Sequence, residues 1–189
     1  MDHERLVIAS RAFLRSRYDS SAVVRYLAEL GSSANVDRAY VFENETMASG
    51  EVLTSQRFEW NSGAAEAQID NPELQGLSMT ELLPAWLEAF DRGDVYFGIV
   101  AELPAAEQEI LVPQDIQSIF VCPIRVAEEV WGFVGFDDCQ RPRRWKVEER
   151  LTLSQASTAL AAALRHRDLK KRLSAARTAL ERTVDSGRS

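Results

Sequence analysis

The spacing of apolar residues predicts helices at both ends of the chain. Residues 4–17 and 21–31 carry apolar side chains three or four positions apart, which is the period of an amphipathic helix. Gly31 is predicted to end the second helix, because glycine commonly follows the last helical turn. The helical pattern returns at 147–183 and runs without glycine or proline. We therefore expect helices to flank a central region of different structure.

Runs of β-branched and aromatic residues predict strands in that central region. Three strands are expected at 37–43, 51–60 and 95–100. Two further runs, 119–126 and 130–136, are separated only by a short polar turn, which is typical of a β-hairpin. Pro123 lies inside the first of these two runs and cannot donate to a strand ladder. We expect an edge position, a bulge or a strand end at this proline.

The connection between the second and third strands is long. Residues 61–79 have the composition of a loop, and a long irregular segment inside a compact domain is often functional. One helix is predicted at 80–91, with Pro84 in its first turn, where proline is tolerated. A short acidic helix is predicted from Pro104 to about residue 112.

The hairpin and the short connection between the first two strands predict a mainly antiparallel sheet. A series of parallel βαβ units is excluded, because such units need a crossover between successive strands. The helices come in blocks at the two ends and in the middle connection. The predicted fold class is therefore α+β, with helices layered on a central antiparallel sheet.

Composition narrows the range of functions. The chain has 189 residues and a net charge of −7, which argues against a general nucleic-acid binder, since such proteins usually carry a basic patch. No apolar run approaches the roughly 18 residues that span a membrane, and the N-terminus lacks a signal-peptide pattern. Cys122 and Cys139 do not form a disulfide framework. We expect a cytoplasmic domain with no membrane segment.

The segment CPIRVAEEVWGFVGFDDCQRPRRW, followed by KVEERLTLSQASTALAAALRHR, resembles the C-terminal half of a GAF domain. The resemblance is to the bacterial subgroup found in sensor histidine kinases and related multidomain signalling proteins. It covers most of residues 20–168. Upstream, it includes the segments DRAYVFENE, TSQRFEW, QIDNPELQ and ELPAAEQEIL.

This resemblance implies a profilin-like or PAS-like fold. The N- and C-terminal helices would pack on one face of the sheet, and loops and helices would cover a ligand pocket or a degenerate cavity on the other. The implied organisation is an N-terminal helix at 1–19, the GAF domain at 20–165, and a C-terminal signalling or coiled-coil extension with a tail at 166–189.

Aromatic side chains and a few polar neighbours are the candidate ligand-binding residues, because ligand pockets are mostly apolar with a few polar groups. The alternative is that the aromatic rings simply fill the core. Asp70 is a further polar candidate. The candidate set is Tyr40, Phe42, Arg57, Phe58, Glu59, Trp60, Trp86, Phe97 and Phe120.

The ligand classes known for the family find little support in the motifs. Cyclic-nucleotide-binding members carry an Asn-Lys-Phe-Asp-Glu signature that is absent here, and bilin-binding members attach the chromophore to a cysteine followed by histidine. Proline follows Cys122 and glutamine follows Cys139. The only histidines, His3 and His166, are badly placed as haem or metal ligands. The cofactor is therefore unknown, and no catalytic residue or metal site is predicted.

Two features of the C-terminal half carry further predictions. Leu169, Leu173, Ala176 and Leu180 step by four, three and four positions, which is typical of a coiled-coil seam; the alternative is a single surface helix with a frayed end. A homodimer through the terminal helices is expected.

Adjacent carboxylates at 137–138 would point to opposite sides of a strand. We expect Asp138 to form a salt-bridged turn with Arg141, Arg143 or Arg144, and Trp145 to pack at the start of the terminal helix beside them.

The predicted function is that of a regulatory sensor domain in a two-component or similar signalling protein, and not that of an enzyme. It would bind an unidentified small molecule and relay the signal through the terminal helices. The alternative is a ligand-free dimerisation or scaffold module. No ATP-binding or phospho-acceptor histidine motif is present. An output domain of kinase or cyclase type would therefore act in cis if the chain is a fragment.

Overall fold

The computed structural model describes residues 3–16, 19–126 and 128–186. This part of the chain forms a six-stranded antiparallel sheet with the strand order β3-β2-β1-β6-β5-β4. The strands are β1 (Arg38–Thr46), β2 (Val52–Asn61), β3 (Leu77–Ser78), β4 (Tyr96–Ile99), β5 (Ser118–Val126) and β6 (Glu129–Asp138). The main helices are α1 (His3–Leu14), α2 (Ser20–Ala34), α3 (Met79–Leu82), α4 (Pro84–Asp91), α5 (Ala105–Leu111) and α6 (Val147–Ser186). The predicted α+β class and the predicted antiparallel hairpin are confirmed.

The second helix ends later than predicted. Its N-cap is Asp19, whose side chain accepts a hydrogen bond from the Ala22 amide at 2.8 Å. It continues past Gly31 to a C-cap at Asn35, which adopts the left-handed conformation with φ 52°. Gly31 instead lies against the ring of Trp60, where an added Cβ would overlap the indole. The prediction that Gly31 ends the helix was wrong. This glycine lies within the helix and allows the Trp60 ring to pack closely against it.

The terminal helices cover one face of the sheet, as expected. Leu27 and Leu30 of α2 and Leu153 and Leu160 of α6 are almost fully buried in the core that they form with the sheet. Trp145 closes one end of this core, with its ring 5.4 Å from that of Phe120 and with the Arg143 guanidinium 4.4 Å from the ring centroid. The prediction for Trp145 is confirmed.

The opposite face is covered by α3, α4, α5 and the preceding loop. Met79, Leu83 and Phe90 are fully buried there against Ile119 and Val121 of the sheet. The single helix predicted at 80–91 was wrong: α3 and α4 are separate, and the break falls at Leu83. Proline disfavours helical geometry in the residue before it, so Pro84 begins a new helix instead of continuing the old one.

Pro123 lies in β5 beyond the end of its edge neighbour. The pairing of β4 with β5 stops at Val121, so the missing N–H of Pro123 removes no bond from that ladder. On its other side β5 pairs continuously with β6 as far as Ile124, where the register shifts. Of the three alternatives expected for this proline, an edge position, a bulge or a strand end, the structure shows a position that lacks a neighbour on one side of β5, just before the register shift. In the hairpin turn, Ala127 lies outside the described residues.

β1 is a central strand whose side chains pack on both faces of the sheet. Ala39 and Val41 face the terminal helices, and Tyr40 and Phe42 face the cover of α3–α5, because successive side chains of a strand point to opposite faces. The sheet therefore separates two apolar clusters that share this strand. The candidate site lies in the second cluster.

Candidate functional site

A cavity of about 30 Å³ lies between the sheet and the cover of α3–α5. On the scale of buried solvent sites, this is room for about two water molecules. One end is apolar and the other is polar. The apolar wall consists of Tyr40, Phe42, Leu74, Leu77, Leu83, Trp86, Ile110, Leu111, Ile116 and Phe133, and the polar wall of Arg38, Gln56, Glu59, Gln68, Gln114 and Asp137.

Stacked aromatic rings form the apolar end. The rings of Phe42 and Phe133 are stacked at 4.9 Å, and Trp86 meets Phe133 edge-on at 5.7 Å. The indole N–H of Trp86 donates to the buried Glu107 carboxylate at 2.9 Å. Since its polar atom is already paired, Trp86 presents only its ring system to the cavity.

A buried ion pair forms the deepest part of the polar end. The Arg38 guanidinium lies 3.2 Å from the Asp137 carboxylate, and each side chain is only 1% exposed. Arg38 also donates to the backbone carbonyls of Glu66 and Gln114, both at 3.0 Å. Arg38 thus ties two covering segments to the sheet, one before α3 and one after α5.

Tyr40 completes this polar cluster. Its hydroxyl donates to the Asp137 carboxylate at 2.9 Å. Burial raises the pKa of Asp137 to about 6, and the neighbouring positive charge of Arg38 and the Tyr40 hydrogen bond limit that rise. Burial also raises the pKa of Tyr40 well above its ordinary value, so its hydroxyl remains a donor.

A β-bulge in β2 sets the rest of the polar wall. Val41 pairs with Phe58 but Phe42 pairs with Gln56, which leaves Arg57 as the extra residue. As a result Gln56 and Glu59 point to the same side, and the Gln56 amide donates to the Glu59 carboxylate at 2.7 Å. A strictly alternating strand would have placed these two side chains on opposite faces.

Glu59 also anchors the loop over the cavity. Its two carboxylate oxygens accept from the backbone N–H of Gln68 at 3.1 and 2.9 Å. The Gln56 carbonyl oxygen, Oε1, is buried and has no hydrogen-bond partner within the described part of the chain. Gln56 is only 4% exposed and lines the cavity. The polar wall therefore contains a buried acceptor that the protein itself does not satisfy.

The structure brings four of the nine candidate residues together. Tyr40, Phe42, Glu59 and Trp86 all line the cavity, on three different elements. Asp70 is exposed and is not among the lining residues. Ligand binding by these side chains stays a prediction, but their convergence on one cavity is a property of the fold.

The other five candidates lie elsewhere. Phe58, Trp60 and Phe120 face the terminal helices and pack in the first cluster. Arg57 is exposed at the bulge and pairs with Glu43 at 2.9 Å. Phe97 lies on the edge strand β4, 37% exposed, with the Arg150 guanidinium 4.3 Å from its ring centroid.

Five of the six residues of the polar wall were not predicted: Arg38, Gln56, Gln68, Gln114 and Asp137. One residue in the sequence did indicate a buried ion pair. Arg38 is a charged residue inside an apolar strand, and such a side chain must be paired when it is buried. Its partner Asp137 lies 99 positions away. No local pattern in the sequence indicates that pairing.

The carboxylates at 137–138 point to opposite sides, as predicted. Asp138 is fully buried and accepts from the Arg141 side chain at 2.8 Å and from the Arg141 backbone N–H at 2.9 Å. The predicted salt-bridged turn is confirmed. Arg143 extends it, because its guanidinium donates to Glu149 of α6 at 2.6 Å and to the Ala34 carbonyl of α2 at 2.9 Å.

The C-terminal part of α6 extends beyond the core. Leu169 is 57% exposed and Leu173 is 72% exposed, and Ala176 is also exposed. The side chain of Leu180 lies outside the described residues. On α1, Val7 and Ile8 are at least half exposed. The three described side chains of the predicted seam therefore form an exposed apolar stripe on α6 in the single chain.

The described ranges contain no group of three or more histidine, cysteine, aspartate or glutamate side chains that could hold a metal ion. Within those same ranges, no helix is long and apolar enough to cross a membrane.

The sequence and the fold both match known proteins. The family model of the GAF domain matches residues 21–164. The methanogenesis regulatory histidine kinase FilI of Methanothrix harundinacea is 42% identical over 167 residues, which cover 86% of this chain but 19% of that protein. The chain thus spans about a fifth of the length of this relative.

Among solved structures, the phycoerythrobilin-bound GAF domain of a cyanobacterial phytochrome superposes with a TM-score of 0.70 at 17% identity. The superposition covers 90% of this chain and 98% of the other. A GAF domain from Synechocystis in its photoproduct state superposes with a TM-score of 0.66 at 19% identity, covering 82% and 99% of the two chains. At these identities the likeness concerns the fold.

Proposed function

The chain belongs to the GAF domain family, and from this premise we propose that it is the regulatory sensor domain of a signalling protein. The similarity to a histidine kinase supports an output domain of that kind in cis. The proposed role is to bind a small molecule in the cytoplasm and to control that output domain, without catalysis by this domain itself. The observation that carries the proposal is the cavity, where stacked rings face a buried ion pair and an unsatisfied acceptor.

Ligand entry would change the covering loop. A cavity of about 30 Å³ holds only a few heavy atoms, so a larger ligand must displace part of its wall. The segment 62–71 is the part most directly tied to the polar wall, through Arg38 to the Glu66 carbonyl and through Glu59 to the Gln68 amide. A ligand that binds the open form more tightly would shift the population toward it.

The end of β6 offers a connection from the cavity to the terminal helices. Asp137 lies in the cavity wall, and the next residue, Asp138, holds the turn that carries Arg141 and Arg143. Arg143 then bonds both to α2, at Ala34, and to α6, at Glu149. A shift of the β6 end would therefore move contacts at the base of α6.

The last step of the proposed relay is a contact between the α6 helices of two copies in a dimer. The exposed stripe of Leu169, Leu173 and Ala176 on α6 is suited to pack against the same stripe of a second copy. Leu180 would extend that seam by one more turn. Parallel helices joined in this way would transmit a change at the base of α6 toward an output domain.

One observation favours the alternative function, a dimerisation or scaffold module that binds no ligand. The aromatic rings pack closely enough to leave only about 30 Å³. In this alternative the rings are simply core residues, and the relay begins in a neighbouring domain.

Native mass spectrometry of the chain purified from its source host separates the two functions. A dimer that carries a stoichiometric small molecule, released on denaturation, supports the sensor function. A dimer without added mass supports the scaffold function. A monomer at all concentrations would contradict the helix seam in both.

A further inference from the structure

The orientation of the Gln56 side chain is fixed by its neighbour. Its Nε2 lies 2.7 Å from a carboxylate oxygen of Glu59, and only the NH₂ group can donate there. The opposite amide orientation would place two acceptors against each other. Gln56 Oε1 is therefore the atom left buried without a protein partner, at a residue that lines the cavity.

The donors of Arg38, Tyr40 and Trp86 in the cavity wall are already directed at protein acceptors. Every nitrogen of the Arg38 guanidinium donates to Asp137 or to a backbone carbonyl. The Tyr40 hydroxyl donates to Asp137, and the Trp86 indole donates to Glu107. The buried acceptor Gln56 Oε1 receives no hydrogen bond from these donors, and a ligand that donates to it removes the cost of leaving it unpaired.

The charges of the cavity wall also favour a positively charged ligand. Arg38 is neutralised by Asp137, which leaves Glu59 as the uncompensated charge among the ionisable side chains that line the cavity. Glu59 is half-buried and already accepts from Gln56 and Gln68, but a carboxylate can accept about four hydrogen bonds. The π faces of Phe42, Trp86 and Phe133 also attract a cation.

Given the proposed ligand-binding function, on which this inference rests, we propose that the cavity takes a small organic amine in its protonated form. The ammonium N–H donates to Gln56 Oε1, Glu59 offsets the positive charge, and the hydrocarbon part lies against the rings. Carboxylates are disfavoured, because they bring a second anion toward Glu59 and have no donor for Gln56. The amine also competes with the Gln68 N–H for Glu59, which loosens the covering loop.

The test compares three probes of nearly equal size that fit the cavity: methylammonium chloride, methanol and sodium formate. Each is titrated into the ¹⁵N-labelled full chain at constant ionic strength, with sodium chloride as the salt control. The signals followed are the Gln56 side-chain NH₂, the Trp86 indole N–H and the Gln68 backbone N–H. We expect saturable shifts with methylammonium, at a Kd at least about tenfold below that of formate.

Two variants locate the interaction. Gln56→Leu removes the acceptor with an apolar side chain of similar size, and we expect it to weaken methylammonium binding by about tenfold or more. Arg57→Gln changes a charge at the adjacent exposed bulge position and should leave binding unchanged. Equal weakening by both variants would overturn the assignment to Gln56.

The outcomes separate this inference from the proposed function. Shifts with methanol or formate but not with methylammonium overturn the amine class and leave ligand binding intact. Absence of shifts with all three probes also overturns the amine class. The sensor function then depends on whether the source-purified chain carries another small molecule.

Discussion

At the scale of single residues, the cluster of Arg38, Tyr40 and Asp137 is the most consequential arrangement in the fold. It places two opposite charges and a hydroxyl in the sheet, with each charged side chain only 1% exposed. Breaking a buried ion pair by removing one partner typically costs about 3–5 kcal/mol, because the other charge is left uncompensated. We therefore expect the loss of either charged side chain of the cluster to destabilise the cavity wall.

The pKa of Asp137 links this cluster to pH. Burial raises it to about 6, above its value in an unfolded chain. The protonated carboxyl therefore favours folding. This contribution is complete below about pH 4 and is lost as the pH rises through about 6.

Tyr40→Phe tests the cluster without removing a charge. The variant loses the hydrogen bond that stabilises the ionised carboxylate, so we expect the pKa of Asp137 to rise above its wild-type value. The free energy of unfolding should fall by about 2 kcal/mol above pH 7 and by less at pH 4, where Asp137 is protonated in both proteins. Carboxyl ¹³C NMR titration and urea unfolding at the two pH values measure these quantities.

Tyr26→Phe is the matched control. Tyr26 is also buried, on the other face of the sheet, and shares a hydrogen bond with Ser10 at 2.9 Å. Its loss should cost about 1 kcal/mol and leave the pKa of Asp137 unchanged. A pKa unchanged in Tyr40→Phe as well would contradict the cluster.

At the scale of elements, the contact of β1 with β6 depends on close backbone approach. Gly132 of β6 lies against the carbonyl of Phe42, where an added Cβ would overlap backbone atoms. Gly98 of the edge strand β4 is also crowded, but its neighbour is the flexible end of the Leu103 side chain, 2.6 Å from where an alanine Cβ would lie. An alanine at Gly132 would therefore require a backbone shift, whereas an alanine at Gly98 would require only a shift of the Leu103 side chain.

Gly132→Ala should therefore destabilise the chain more than Gly98→Ala. We expect a loss of about 2 kcal/mol or more for the first, because the two central strands must separate. The second should cost less than about 1 kcal/mol, since Leu103 can change rotamer. Equal losses in chemical unfolding of the two variants would show that the backbone contact is unimportant.

Most elements followed from local patterns, and the exceptions have physical causes. Helical and strand periods locate α1, α2, α6 and the hairpin. The bulge at Arg57 was not predicted, because an extra residue leaves the composition of β2 unchanged. It reverses the faces of the following side chains, so Phe58 and Trp60 meet the helices while Glu59 joins the cavity.

At the scale of the whole molecule, the sheet separates the cavity from a helical layer that extends outward. The cavity face is built from β1, β2 and β6 and from the cover of α3–α5, and the helical face carries α6 to residue 186. The candidate site could be predicted in part: Tyr40, Phe42, Glu59 and Trp86 converge, as expected for pocket residues. The ion pair of Arg38 with Asp137 required a pairing between distant strands, and the contact of Gln56 with Glu59 required the bulge.

Leu173→Glu tests the proposed association at this scale. Leu173 is 72% exposed in the single chain, so the change should leave the fold intact. A buried leucine contributes about 1.5–3 kcal/mol per chain, and we expect the dimer Kd to rise more than about tenfold. Sedimentation velocity over a concentration series gives this value, and circular dichroism checks the fold.

Ser174→Glu adds the same charge at the neighbouring exposed position, away from the seam. It should leave the Kd within a few-fold of the wild type. If both variants dimerise like the wild type, the interface lies elsewhere, and the exposed Val7 and Ile8 of α1 become the next candidates.

The position of β1 beside β6 also governs how the chain reaches this structure. The β1–β2 and β5–β6 pairs are local hairpins, which form within microseconds. Joining them requires Arg38 to meet Asp137 across 99 positions of sequence. Such non-local pairing slows folding, because chain entropy is lost before the contact forms. Until the hairpins join, each exposes an unpaired edge, so we expect refolding yield to fall as protein concentration rises.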